Sequence, residues 1–101
     1  MRNKIELKED LFMPTCITQL EDMPFISKAI LCLIIQVVSN HEIFNYTNYA
    51  ISNQLGINKF VVSRALSRLQ ALRYIDITRY SREREITIGL HTIQVLEGGI
   101  N

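Results

Sequence analysis

Cysteine and histidine are scarce in this 101-residue chain, and neither is spaced to hold a metal. Cys16 and Cys32 stand 16 positions apart, His41 and His91 are the only histidines, and no CxxC or HxxxH spacing occurs. That argues against a structural zinc site, and no cofactor is expected. The opening stretch MRNKIELKED is charged and lacks the pattern of a secretion signal, so the two cysteines read as reduced thiols in a cytoplasmic protein. Cys32 lies in an apolar run and reads as core. Long hydrophobic runs are missing too. The longest, over 29–38, contains Gln36 and reaches about half the roughly 20 residues that span a bilayer, so no membrane association is expected. Glycine-rich phosphate loops are absent, the carboxylates are scattered, and Ser63 and Ser67 have no histidine near them in sequence. These absences argue against an enzyme. His41 and His91 read as surface loop residues.

An excess of charge of one sign is also missing, since the net charge is only +1. The distribution is uneven, however. Residues 1–58 hold 4 basic and 6 acidic side chains, residues 59–84 hold 7 and 2, and residues 85–101 hold none and 2. A basic segment on an otherwise neutral chain is the footprint of a local anion-binding surface. A solvated basic face is the plainer alternative.

What is present is enough for one globular domain over 1–101. Apolar residues make up 48% and charged residues 21%, which places the chain away from disorder. A core of this size is modest, and a dimer partner would add to it. Residues 1–10 are polar and read as loosely held. LFMPTCITQL reads as an extended lead-in with a short helix over 15–20. A helix over 24–39 follows, with Asp22 able to cap it and Pro24 in its first turn. Its polar stripe is only Lys28, Cys32 and Gln36, so it is buried on most faces. It reads as a core helix that also supplies a homodimer surface, with Phe25, Ile26, Leu33 and Val37 as the contact residues.

NHEIFNYT is a connection with room for a short strand over 43–44. Thr47 then caps the short helix NYAISNQL, and Gly56 ends it at a position that wants positive φ. Ile57 is the buried turn residue. Asn58 caps a longer helix that runs to about Leu72. YIDIT and EITIGL alternate in the manner of a β-hairpin. The loop RYSRER between them lacks an Asn-Gly pair, so a turn longer than two residues is expected. The tail HTIQVLEGGIN reads as a short helix or strand.

This order is that of a winged helix-turn-helix, a mainly α fold with a β-hairpin wing, in the α+β class, with the helix-turn-helix over 47–72 and the wing over 74–90. YTNYAISNQLGINKFVVSRALSRLQALRYIDI resembles the DNA-binding segment shared by MarR- and ArsR-type regulators and by plasmid and phage replication initiators. The resemblance covers 46–88, about two-fifths of the chain. LFMPTCITQLEDMPFISKAILCLIIQVV is similar to the lead-in and first helix of the initiator domains. The resemblance implies sequence-specific binding to double-stranded DNA in the transcription or replication control of a phage or plasmid. It is specific to the fold and not to one biological role.

The residues support the fold on their own. At 100° per residue, Val62, Ala65, Leu66, Leu69 and Leu72 share one side of the longer helix. Phe60, Arg64, Ser67 and Ala71 fall opposite, flanked by Ser63 and Arg68. Serines allow close approach to a major groove, and arginines reach phosphates or guanine O6 and N7. Lys59 and the helix N-terminus add a phosphate site. The wing supplies Arg79, Arg82 and Arg84, with Tyr80 and Ser81, and Arg82 is expected at its tip.

Two positions depart from the pattern. Many relatives of this type carry glycine where this chain has Arg73, which must then adopt positive φ or end the helix differently. Phe60 and Val61 are apolar at the start of a helix that should be polar there. Val61 can tuck against the flank of the domain. Phe60 points outward, where it can meet thymine methyl groups, pack on the preceding helix, or meet its twin across a dimer axis. The last option fits TubR-type partition adaptors, which are similar in length and element order. That resemblance implies paired recognition helices on a centromere, and RYIDITRYSREREITI is compatible with such a wing. A further alternative is a protein-interaction module using helix 24–39 and Phe60. The partners expected are double-stranded DNA, a second copy of the chain and a protein from the same operon.

Overall fold

The computed structural model describes residues 1–98. Its elements run α1 (Thr15–Thr18), α2 (Phe25–Ser39), α3 (Asn48–Leu55), α4 (Lys59–Ala71), β1 (Ile75–Tyr80), β2 (Glu83–Ile88) and α5 (Leu90–Leu96). The fold is α+β, with five helices and one two-stranded antiparallel hairpin among the described residues, an order compatible with a winged helix. None of these helices is long and apolar enough to cross a membrane.

α2 is the centre of the core. Ile30, Leu31, Leu33, Ile34 and Val37 are fully buried on it, because α1, α3, α4 and β2 all pack around it. This corrects the expectation that Leu33 and Val37 supply a dimer surface. Both are enclosed by their own chain and cannot reach another. Phe25 and Ile26, in the first turn, remain exposed. The helix starts at Pro24 without a side-chain cap. Asp22 does not cap it. Its carboxylate instead accepts a hydrogen bond from Tyr74 Oη at 2.7 Å, and its carbonyl accepts one from Arg68 Nη2 at 3.1 Å.

The N-terminal segment is docked, contrary to its polar composition. Ile5 is buried, and Arg2 forms a β-bridge with Tyr46 while its guanidinium lies 4.1 Å over the Tyr46 ring. Phe44 bridges Ile86, so the expected strand over 43–44 is reduced to one paired residue.

Burial also acts on chemistry. It pushes the Cys32 thiol up to about 11, with Cys16 nearby adding to the shift. A raised acid constant in the folded state stabilises the fold below the unfolded value and is lost as pH climbs through the folded one. Stability should therefore fall by about 2–3 kcal/mol from this group between its ordinary value near 9 and 11. Tyr74 shifts upward as well, through burial and its hydrogen bond to Asp22, and adds a loss of the same sign. Urea melts of wild type and Cys32→Ala across this range check the point. The difference between the two should shrink as pH rises, and a constant difference would contradict it.

α4 ends in a left-handed residue that is not glycine. Arg73 has φ 66°, its N–H bonds Gln70 O at 3.0 Å, and Tyr74 N–H bonds Leu69 O at 2.9 Å. That double closure is a Schellman motif, in which glycine is the usual occupant. A side chain in this region costs about 1 kcal/mol relative to glycine, partly offset by glycine's looser unfolded state. Arg73→Gly should leave the melting temperature unchanged or raise it by a few degrees. A clear fall in a thermal melt would mean that the Arg73 side chain makes a contact worth more than the strain.

The hairpin turn is shorter than expected. Tyr80 pairs with Glu83, leaving only Ser81 and Arg82 between the strands. Ser81 takes φ 56° and so does the work usually given to glycine or asparagine. The tail forms α5, and His91 is not a loop residue. Its ring stacks on Tyr74 at 4.3 Å, and its Nδ1 lies 3.1 Å from Leu72 O.

Candidate nucleic-acid interface

α3 and α4 are joined by a short, well-defined turn. Thr47 Oγ1 accepts from Ala50 N–H at 3.1 Å and caps α3. Gly56 ends α3 with φ 67°, and Ser52 Oγ donates to Ile57 O at 2.6 Å. Asn58 Oδ1 accepts from Phe60 N–H at 2.7 Å and caps α4. Ile57 is half-buried in the turn.

α4 is divided as its spacing requires. Val62, Ala65, Leu66 and Leu69 are buried. Fully burying a leucine or valine contributes about 2 kcal/mol, so this face fixes the roll of the helix. The solvent side then carries Lys59, Phe60, Ser63, Arg64, Ser67 and Arg68, all exposed. Val61 is half-buried beside Ile26, in a shallow groove that Pro24, Arg64 and Arg68 also line. The first turns of α2 and α4 therefore meet along one edge.

On the hairpin, Arg79 and Arg82 are exposed, with Arg82 in the turn. Among the described residues, Lys59, Arg64, Arg79 and Arg82 have neither an ion-pair nor a hydrogen-bond partner. α4 itself contains no acidic residue. Two of these cations share α4 with Ser63 and Ser67 and two lie on the hairpin, and unpaired charge of one sign on both elements attracts anions.

Arg84 does not belong to this surface. The register pairs Ile75 with Ile88, Ile77 with Ile86 and Arg79 with Arg84, so both arginines share the inner face of the hairpin, where Arg79 stays exposed and Arg84 is covered. It is 6% exposed and donates through Nη2 to Tyr46 O at 3.1 Å and to Asn48 Oδ1 at 2.5 Å. Its Nε is buried without a partner. Burial, and then the neighbouring Arg79, lower its affinity for the proton. Arg84 thus fastens the hairpin to the start of α3, and its contribution is positional. Its charge points to the surface, whereas its place in the alternation sets it with Ile86 and Ile88.

Of the expected dimer residues, Phe25, Ile26 and Phe60 are exposed, at 66%, 38% and 76%. Leu33 and Val37 are not available. Set beside protein-family models, curated proteins and solved structures, the chain matches none of them.

Proposed function

We propose that this protein is a winged helix-turn-helix that binds double-stranded DNA, with α4 in the major groove and the hairpin along the neighbouring backbone. The observation that carries the reading is the solvent face of α4. It presents Lys59, Ser63, Arg64, Ser67 and Arg68 on one rigid helix, and no acidic residue interrupts them. Small hydroxyl side chains permit close approach, and arginines match guanine edges and phosphates. The proposed setting is cytoplasmic transcription or replication control in a phage or plasmid, as a homodimer on repeated or palindromic sites.

A second reading, a partition adaptor of the TubR type, draws support from one observation. Phe60 is exposed and therefore free to meet its twin across a dimer axis. Sedimentation of Phe60→Ala separates the two arrangements: a dimer lost with the ring fits the second, and a dimer that survives fits the first.

The test is a mobility-shift titration on duplex fragments from the gene's own locus, repeated at low and moderate salt. Each phosphate neutralised should contribute about −0.9 to the slope of log K against log salt. Lys59, Arg64, Arg68, Arg79 and Arg82 together predict a slope of about −4.5 per protomer. Folded protein that shifts no fragment at low salt would overturn the proposal.

A further inference from the structure

Phe60 is the most exposed large apolar side chain among the described residues, at 76%. It is not on a loose segment. It occupies the second position of α4, and its own N–H is bonded to the Asn58 cap. The backbone thus holds an aromatic ring in solvent at the N-terminal end of the basic face. That exposure removes packing within its own chain as the explanation.

Its surroundings decide between the remaining partners. Lys59 precedes it, and Ser63 and Arg64 follow one turn later, all exposed. Lys59 and Arg64 have no counter-ion among the described residues. A twin packed ring to ring about an axis at Phe60 would gather these like charges with nothing on α4 to neutralise them. A partner that is anionic and also carries an isolated apolar spot satisfies both demands. In the major groove the thymine C5-methyl is such a spot, bordered by phosphates.

We infer that Phe60 reads the thymine C5-methyl group, so that the protein distinguishes methylated from unmethylated pyrimidines at the N-terminal end of α4. This rests on the proposed DNA binding and names its specificity. Burying one methyl group corresponds to about a fourfold change in affinity.

The experiment amplifies one fragment of the gene's own locus with dTTP or with dUTP, which removes the methyl and leaves the pairing edge intact. Wild type, Phe60→Ala and Phe60→Leu are titrated against both products, and each variant is checked by circular dichroism and sedimentation. Wild type should bind the thymine duplex at least about fourfold more tightly, Phe60→Leu should keep part of that preference, and Phe60→Ala should lose it. Equal binding of both duplexes by wild type overturns the inference and leaves DNA binding standing. A preference that survives in Phe60→Ala assigns the methyl to another residue and also overturns it. Loss of the dimer in Phe60→Ala overturns it in favour of a twin contact. No binding of either duplex at low salt overturns both this inference and the reading beneath it.

Discussion

Gly89→Ala should lower the unfolding free energy by about 3 kcal/mol and the melting temperature by more than about 10 °C. The cause is space. A Cβ at Gly89 would lie 2.3 Å from the carbonyl oxygen of Arg73, 2.8 Å from the carbonyl carbon of Tyr74 and 2.9 Å from that of Arg73. All three are backbone atoms, so no rotamer change can relieve the clash. The crossing is also held in place. Gly89 N–H bonds Tyr74 O at 2.9 Å, His91 N–H bonds Arg73 O at 3.0 Å, and Thr92 Oγ1 donates to Tyr74 O at 2.7 Å. Moving the two strands of backbone apart to admit a methyl group would strain or break several of these bonds. Gly56→Ala is the comparison. Gly56 has φ +67° with nothing within 4 Å of an added Cβ, so its cost is conformational alone, about 1 kcal/mol. Thermal melts followed by circular dichroism report both. A Gly89→Ala protein that melts within two or so degrees of wild type would refute the crowding argument.

The double variant Arg64→Ala with Arg68→Ala should weaken binding to duplex DNA by about a hundredfold at moderate salt. Each well-placed arginine contact is worth roughly 1–3 kcal/mol, and two lost phosphate contacts would remove about 1.8 from the salt slope. The fold should survive. Arg64 has no partner within the described residues, and Arg68 makes one exposed hydrogen bond to Asp22 O. Exposed polar contacts of this kind contribute about 1 kcal/mol or less. A melting temperature close to wild type, an unchanged sedimentation coefficient and lost DNA binding form the expected combination. Unaltered binding would remove α4 from the interface and favour a surface that docks proteins.

Much of the fold was legible because local chemistry decides it. Thr47, Gly56 and Asn58 mark the ends of α3 and α4 through bonds to neighbouring backbone, and the sequence shows those residues directly. The buried face of α4 follows from spacing alone. Arg84 was legible as well, since it shares parity with Ile86 and Ile88 and so falls on their side of the hairpin. Reading it as a surface cation gave charge more weight than alternation. Leu33 and Val37 were not decidable in this way. A helix apolar on nearly all sides says that every face is covered, and only long-range packing says by what. The docked N-terminus was hidden for a related reason. Ile5 and the half-buried Leu7 alternate with charged residues that stay in solvent, and a mainly polar composition masks so short an apolar pattern. The two-residue hairpin turn was hidden because Ser81 adopts a conformation for which serine is an uncommon choice.

The junction at Gly89 also sets how motion is distributed along the hairpin. Residues 73–74 and 89–92 are tied by backbone bonds, and the hairpin leaves the domain between them. Its base is tied by these bonds, and its outer half by Arg84 on Tyr46 and Asn48 and by the Met1 ammonium on Glu83, while Ser81 and Arg82 in the turn have no side-chain partner among the described residues. Amide hydrogens should record a gradient, slow to exchange with deuterium near Tyr74 and Gly89 and progressively faster toward the turn. Motion confined to the turn would let Arg82 change its direction while the strands that carry it stay paired.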